Sequence, residues 1–129
     1  MKEKDDLNLF DKTVEDGDFG AITFKVGDYC ISRDLMDSIN EMYFLNETIS
    51  LSQIKNINIL DIGAGYGRLA HRMLECFHNI QNYFTVDAIP ESTLLCQFYL
   101  DYRRCDKAKT ILLPNIEDVL KTNELTLAI

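Results

Sequence analysis

A short segment of the chain combines an acid, three closely spaced glycines and the start of an amphipathic pattern. Residues 59–69 read Ile-Leu-Asp-Ile-Gly-Ala-Gly-Tyr-Gly-Arg-Leu. Asp61 ends an apolar run, and Gly63, Gly65 and Gly67 follow it at alternate positions. Glycine lets backbone approach a ligand closely, and the free N–H groups at a helix start attract anionic groups. The segment therefore predicts a ligand-binding loop between a buried strand and a helix, as in nucleotide-binding α/β sheets.

The spacing of the glycines distinguishes this loop from phosphate-binding loops. A dinucleotide fingerprint reads G-x-G-x-x-G, whereas this chain reads G-x-G-x-G and has Arg68 at the third fingerprint position. The Gly-Lys-Ser/Thr ending of a P-loop is also missing. The carboxylate of Asp61, expected to point at the ligand cavity, would repel pyrophosphate and attract an ammonium group. A ligand with an amine near Asp61 and a carboxylate near the N–H groups after Gly65 therefore fits better.

A second acid indicates that the ligand carries a sugar. Asp87 lies about 20 residues beyond the last glycine, where nucleotide-binding α/β folds place the acid that binds ribose hydroxyls. Ala88 and Ile89 would present an apolar edge to a purine. An amino-acid head group, a ribose and a purine together describe S-adenosylmethionine, which we predict as the cofactor. The predicted cofactor-binding residues are Asp61, Gly63, Ala64, Gly65, Tyr66, Gly67, Asp87, Ala88 and Ile89.

Alternating strands and helices are predicted around these residues. Apolar runs predict strands at residues 57–62, 83–86, 110–113 and 125–129. Each intervening helix should turn one apolar stripe toward the sheet. The stripes are Leu69, Met73 and Phe77 in the first helix, and Leu94, Phe98 and Tyr102 with Leu95 and Tyr99 in the second. Continuous apolar strands that alternate with helices are typical of an α/β, Rossmann-like parallel sheet with flanking helices.

The residues before the first of these strands form a predicted N-terminal extension. Residues 1–19 are acidic and are expected to be a mobile or loosely packed arm. Residues 20–55 predict a hairpin around Gly27-Asp28 and then a helix. One face of that helix carries Leu35, Ile39, Met42 and Tyr43. The cofactor-binding domain is expected to span residues 56–129.

The motifs resemble those of a known enzyme class. Residues 61–67 resemble the first motif of class I S-adenosylmethionine-dependent methyltransferases, and Val86-Asp87 resembles the second. The chain is also similar to the sugar O-methyltransferase family at three places. They are Ser32-Arg33-Asp34-Leu35 with Asp37-Ser38, residues 60–69, and Asp87 through Pro90-Glu91 to Tyr99-Leu100. The resemblance covers roughly residues 19–129 and implies the first four strands of a larger, mostly parallel sheet.

The resemblance implies O-methylation of a sugar or glycan-precursor hydroxyl, with a small-molecule or saccharide substrate as partner. In this architecture the groups that bind the substrate and take its proton follow the fourth strand, so the resemblance assigns no catalytic residue to these 129 residues. The sequence is apolar up to Ile129, which predicts a missing C-terminal half or a partner chain. The alternatives are a truncated, inactive cofactor-binding remnant, half of a split enzyme, or a nicotinamide-dependent oxidoreductase, which the glycine spacing disfavours.

The overall composition argues against several other classes of protein. The 129 residues include 21 acids and 13 Lys and Arg, and the net charge of −8 disfavours nucleic-acid binding and a polybasic membrane anchor. No apolar run approaches the roughly 20 residues of a membrane span. The four cysteines form no CxxC pair, which favours reduced thiols and a cytoplasmic location. No spacing of His, Cys and Asp predicts a metal site.

Five polar residues have a less specific interpretation. Arg33 and Asp34 fit either a substrate wall or a solvated ion pair before a helix. Tyr66 fits either a wall of the cofactor pocket or a cover over the glycine loop. His71 and His78 are expected to have surface or capping roles.

Overall fold

Strands and helices alternate along the computed structural model, which describes residues 5–13, 15, 17–122 and 127–129. The chain divides into an N-terminal unit, Met1–Leu51, and a C-terminal unit, Ser52–Ile129. The strands are β1 (Thr23–Val26), β2 (Tyr29–Ser32), β3 (Ile57–Ile62), β4 (Ile80–Asp87), β5 (Ala108–Leu112) and β6 (Leu127–Ala128). The helices are α1 (Leu9–Lys12), α2 (Arg33–Ile49), α3 (Arg68–Cys76), α4 (Pro90–Tyr102) and α5 (Ile116–Leu120).

The N-terminal unit contains the predicted hairpin and helix. β1 and β2 pair antiparallel, and Gly27 in the turn between them has a φ of 60°. Ser32 ends β2 and caps α2, because its Oγ accepts a hydrogen bond of 3.0 Å from the backbone N–H of Leu35. Leu35, Ile39 and Met42 of α2 are buried. The hairpin and the apolar face of the helix are therefore confirmed.

One turn of helix, α1, lies within the predicted acidic arm, of which residues 1–4, 14 and 16 lie outside the described residues. Asp5 caps α1 by accepting hydrogen bonds from the N–H groups of Leu9 at 2.7 Å and Phe10 at 3.1 Å. It also accepts one from the hydroxyl of Tyr43 in α2. Leu9 is fully buried. The sequence did not predict this turn, because a single turn is too short to show helical periodicity.

All four strands of the C-terminal unit run parallel, in the order β5-β4-β3-β6. The chain moves outward from β3 through β4 to β5 and then returns to the other side of β3 as β6. The strand order thus reverses beside β3, which makes the carboxyl end of this strand a topological switch point. The predicted Rossmann-like parallel sheet with flanking helices is confirmed.

The strand boundaries differ from prediction where polar residues interrupt the apolar pattern. β4 begins at Ile80, three residues before Tyr83, because Ile80 is buried and pairs with Ile57 although two polar residues follow it. β6 pairs with β3 through Leu127 and Ala128. Residues 125 and 126 of the predicted strand lie outside the described residues, and Ile129 follows β6 and donates its N–H to the carbonyl oxygen of Leu60 at 2.9 Å.

The two faces of the parallel sheet pack against different helices. On one face Leu60 and Val86 form a buried cluster with Val119 of α5. On the other face the hydroxyl of Thr85 lies 3.4 Å from the thiol of Cys96 in α4. The sheet is therefore covered on both sides, which explains its nearly continuous apolar strands.

The buried face of α4 is not the predicted one. Its buried residues are Thr93, Cys96, Tyr99 and Leu100. The side chains predicted to be buried, Leu94, Leu95, Phe98 and Tyr102, are instead 42% to 73% exposed, and of the predicted set only Tyr99 is buried. Cys96 and Leu100 of this buried face lie against Gly67, at the start of α3. Apolar content alone therefore indicated the wrong side of this helix.

The cap formed by Asp5 leads to a prediction about the pH dependence of α1. Burial raises the pKa of Asp5, but hydrogen bonds from Tyr43, Leu9 and Phe10 outweigh burial and leave the pKa below its ordinary value. The Asp5 cap therefore stabilises α1 above a pH of about 4. This stabilisation is lost as the pH falls through the pKa that Asp5 has in the folded state. We expect Asp5→Asn to reduce the free energy of local opening of α1 by about 0.5–2 kcal/mol at neutral pH, and by less in acid.

Hydrogen exchange of peptides covering residues 5–13, corrected for intrinsic rates, measures this free energy. Asp6→Asn is the matched control, because Asp6 is an exposed neighbour of the same charge. An equal loss of opening free energy in Asp5→Asn and Asp6→Asn, or a loss that does not depend on pH, would contradict the capping role of Asp5.

Candidate functional site

The glycine loop leaves β3 at the switch point and is held to the end of β4. The N–H groups of Gly63 and Ala64 both donate to the carbonyl oxygen of Val86, at 2.8 and 3.2 Å. Gly63, Gly65 and Gly67 have φ values of 86°, 57° and 91°. These values lie in the left-handed region, where a residue with a Cβ is strained. The three glycines are thus required by the path of the backbone itself.

The three glycines differ in what surrounds them. A Cβ added to Gly63 or Gly65 would meet nothing within 4 Å. A Cβ added to Gly67 would lie 2.9 Å from the Sγ of Cys96 and 3.1 Å from the Cγ of Leu100. Gly67 therefore permits the close packing of α4 onto the start of α3. Gly63 and Gly65 border open space that a ligand could occupy.

Asp87 lies beside the glycine loop, as its position in the sequence predicted. Its Oδ2 accepts a hydrogen bond of 3.0 Å from the N–H of Gly65. Its Oδ1 accepts one of 2.8 Å from the N–H of Ile89, at the start of α4. The carboxylate is thereby fixed at the carboxyl end of β4. Because a carboxylate has about four acceptor positions, both oxygens keep the capacity to accept another donor.

Asp61 lies deeper than the other predicted residues. It is only 6% exposed, and its Oδ2 accepts a hydrogen bond of 3.0 Å from the hydroxyl of Tyr83 in β4. The carboxylate is thus within the core at the end of β3. Its contact with a ligand amine stays a prediction.

The remaining predicted residues lie at the rim of the loop. The ring of Tyr66 meets that of Tyr99 edge-on, with centroids 5.4 Å apart, and the guanidinium of Arg68 lies 4.8 Å from the centroid of Tyr66. These contacts hold Tyr66 against the protein. Ala88 and Ile89 are exposed, so an apolar edge is open beside Asp87.

His71 contradicts the expectation of a surface role. It is 5% exposed, its Nδ1 lies 3.0 Å from the hydroxyl of Tyr99, and its Nε2 lies 3.0 Å from a carboxylate oxygen of Glu75. Burial raises the pKa of Tyr99, although Arg103 and other arginines act against it. A chain of contacts therefore runs from Tyr66 through Tyr99 to His71 and Glu75. The four-residue spacing of His71 and Glu75 was the available signal, but the contact with Tyr99 had none.

The described part of the chain has neither a cluster of metal-ligating side chains nor a membrane-spanning helix. Within residues 5–13, 15, 17–122 and 127–129, no group of three or more His, Cys, Asp or Glu side chains could hold a metal ion. No helix in those same ranges has the length and apolar character needed to cross a membrane.

The different surroundings of the glycines predict different stabilities for two alanine variants. Gly63→Ala adds backbone strain alone and should cost about 1–2 kcal/mol. Gly67→Ala adds similar strain and a clash with Cys96 and Leu100, and should cost about 1–3 kcal/mol more. Urea unfolding followed by circular dichroism measures both. Gly63 and Gly67 have similar φ values, so the backbone strain should be similar in the two variants. Equal losses in the free energy of unfolding would therefore show that α4 does not pack on Gly67.

Several solved structures of methyltransferases share the fold of this chain. Precorrin-6y C5,15-methyltransferase from Geobacter metallireducens GS-15 is 11% identical with a TM-score of 0.52, and the match covers 81% of this chain and 51% of that chain. A candidate sarcosine dimethylglycine methyltransferase from Galdieria sulphuraria is 16% identical with a TM-score of 0.51, covering 71% and 34%. A protein-L-isoaspartate O-methyltransferase is 15% identical with a TM-score of 0.50, covering 71% and 28%.

These similarities establish the fold, and the chain spans about half or less of the length of each of these structures. The sequence matches no protein-family model and none of the curated proteins.

Proposed function

We propose that the C-terminal unit binds S-adenosylmethionine and that the protein is a methyltransferase dependent on this cofactor. The observation that carries the proposal is the carboxylate of Asp87, fixed by the N–H groups of Gly65 and Ile89 at the switch point of the sheet. The fold that the chain shares with methyltransferases of known structure supports it. The proposal assigns the amino-acid, ribose and purine parts of the cofactor to separate groups around the loop.

The ribose is assigned to Asp87. Two backbone N–H groups already orient its carboxylate, so binding would not have to order the side chain. The free acceptor positions suit the two hydroxyls of a ribose. The exposed Ala88 and Ile89 lie directly after Asp87 and would contact the purine.

The amino-acid part is assigned to the glycine loop. The open space beside Gly63 and Gly65 lets a ligand approach their backbone, which Cβ atoms would obstruct. The charge of Asp61 below the loop would favour the ammonium group of the ligand. Ala64 and Tyr66 would border the ligand. Gly67 would not contact it but would keep the loop packed against α4. Bound there, the cofactor would supply an activated methyl group for transfer to a nucleophile.

We further propose that the methyl acceptor is a hydroxyl of a sugar or glycan precursor in the cytoplasm. The support is the resemblance at residues 32–38 to sugar O-methyltransferases. In this segment Ser32 caps α2, and the Nε of the exposed Arg33 lies 3.4 Å from the Oδ2 of Asp37. This segment thus presents polar side chains on the first turns of a helix.

The cofactor proposal predicts selective loss of binding in one variant. Asp87→Asn replaces a charged acceptor with a neutral amide and should weaken binding of S-adenosylhomocysteine about 10- to 100-fold. Titration calorimetry of the chain measures this effect. Asp118→Asn is the matched control, because Asp118 is an exposed acid on α5. Equal affinity in the wild type and Asp87→Asn would refute the ribose assignment, and preferential binding of NAD would refute the cofactor.

The acceptor proposal predicts the chemistry of the product. Transfer of a radiolabelled methyl group from the cofactor to a panel of saccharides should give label that resists alkali, because methyl ethers survive where methyl esters hydrolyse. Label that enters amines, carboxylates or proteins would reject the sugar acceptor and leave the cofactor proposal intact. A reaction that contains the protein and the labelled cofactor but no saccharide is the control.

A further inference from the structure

Tyr83 places a hydroxyl group in the core, beside the acid that precedes the glycine loop. The side chain is fully buried in β4, and its hydroxyl donates a hydrogen bond of 3.0 Å to the Oδ2 of Asp61 in β3. Tyr83 pairs with Ile59, which lies two residues before Asp61. Because side chains alternate along a strand, Tyr83 and Asp61 lie on the same face of the sheet.

The strands on both sides of β4 fix the position of Tyr83. Its neighbour in β3 is Ile59 and its neighbour in β5 is Ala108. Its backbone N–H donates to the carbonyl oxygen of Lys107 at 2.9 Å. The ring has no exposed surface, and side chains in a close-packed core have little freedom to rotate. The hydroxyl is therefore a rigid donor that orients the carboxylate of Asp61.

The hydrogen bond between Tyr83 and Asp61 has an energetic cost that an apolar pair would avoid. Asp61 is only 6% exposed, and a buried carboxylate is destabilising unless hydrogen bonds replace its lost water. The bond from Tyr83 compensates for part of this loss and favours the charged form of the carboxylate. Well-packed apolar residues would often be at least as stable at such positions. This favours a role for the pair beyond stability.

The two acids that flank the glycine loop are oriented by different groups. Backbone N–H groups hold Asp87, whereas a side-chain hydroxyl holds Asp61. A carboxylate that is oriented in advance loses little freedom on binding, and partial burial strengthens its attraction to a cation.

We propose that Tyr83 is a positioning residue, which holds the carboxylate of Asp61 for the ammonium group of the cofactor. The site thereby selects ligands that carry an amino-acid head group over nucleosides that lack one. This inference rests on the proposed binding of S-adenosylmethionine and adds the residue that orients the ammonium contact.

The first test compares two ligands that differ in the amino-acid head group. 5′-Methylthioadenosine has the purine, ribose and thioether of S-adenosylhomocysteine but neither its ammonium nor its carboxylate group. Tyr83→Phe removes only the hydroxyl and should weaken binding of S-adenosylhomocysteine about 5- to 50-fold. The affinity for 5′-methylthioadenosine should change by less than about twofold, because that ligand has no group for Asp61 to bind. Titration calorimetry measures both affinities.

Tyr43→Phe is the matched control. Tyr43 also donates its hydroxyl to an aspartate, Asp5, but in the N-terminal unit, so its loss should leave both affinities unchanged. Tyr83→Met, which also lacks the hydroxyl, provides a second variant should Tyr83→Phe fail to fold, as judged by circular dichroism. A purely structural role of Tyr83 would weaken binding of both ligands by the same factor, and that result would overturn the proposal.

The second test determines whether Tyr83 acts through Asp61. Asp61→Asn should weaken binding of S-adenosylhomocysteine by a factor similar to that of Tyr83→Phe. In the double variant the loss of the hydroxyl should weaken binding by less than about twofold more, because no charged group remains for it to orient. Independent, multiplying losses would overturn the positioning role.

The outcome in the wild type separates this inference from the cofactor proposal. If the wild type binds S-adenosylhomocysteine and Tyr83→Phe and Tyr83→Met keep its affinity, the positioning role is overturned and the cofactor proposal stands. A wild type that binds neither S-adenosylhomocysteine nor 5′-methylthioadenosine would overturn both.

Discussion

The close approach of α4 to the start of α3 is the constraint on which the C-terminal unit depends. Gly67 permits it, because a Cβ at this position would lie 2.9 Å from the thiol of Cys96. That contact fixes where α4 lies, and Ile89 at its start donates to Asp87, which in turn accepts from Gly65. The packing of two helices therefore determines the geometry of the carboxylate beside the loop.

Asp87 joins three elements that meet at the switch point. It ends β4, and its two oxygens reach the glycine loop and the start of α4. Each bond pairs a carboxylate with a backbone N–H, which is stronger than a bond between neutral groups. The backbone bonds from Gly63 and Ala64 to Val86 secure the same corner. The loop is consequently held from both sides while the space beside Gly63 and Gly65 stays open.

The sequence was sufficient for features that depend on local backbone requirements. The glycine spacing predicted a loop after β3, and the position of Asp87 predicted its place beside that loop. Features set by contacts distant in sequence were not predictable in this way. His71 is buried because Tyr99, 28 residues away, shares a hydrogen bond with it. The cofactor role of the loop residues stays a prediction.

The error over α4 has a physical origin that also explains its outer surface. The sequence of α4 places apolar residues on two sides of the helix. The prediction chose the side that carries Leu94, Phe98 and Tyr102, which is exposed. Cys96 and Leu100 of α4 lie against Gly67, and both belong to the buried side of the helix. With Cys96 and Leu100 turned inward, Leu94 and Phe98 lie on the outer side of the helix. The contact at Gly67 therefore sets which side of α4 is exposed, although Leu94 and Phe98 are not among the residues assigned to the ligand.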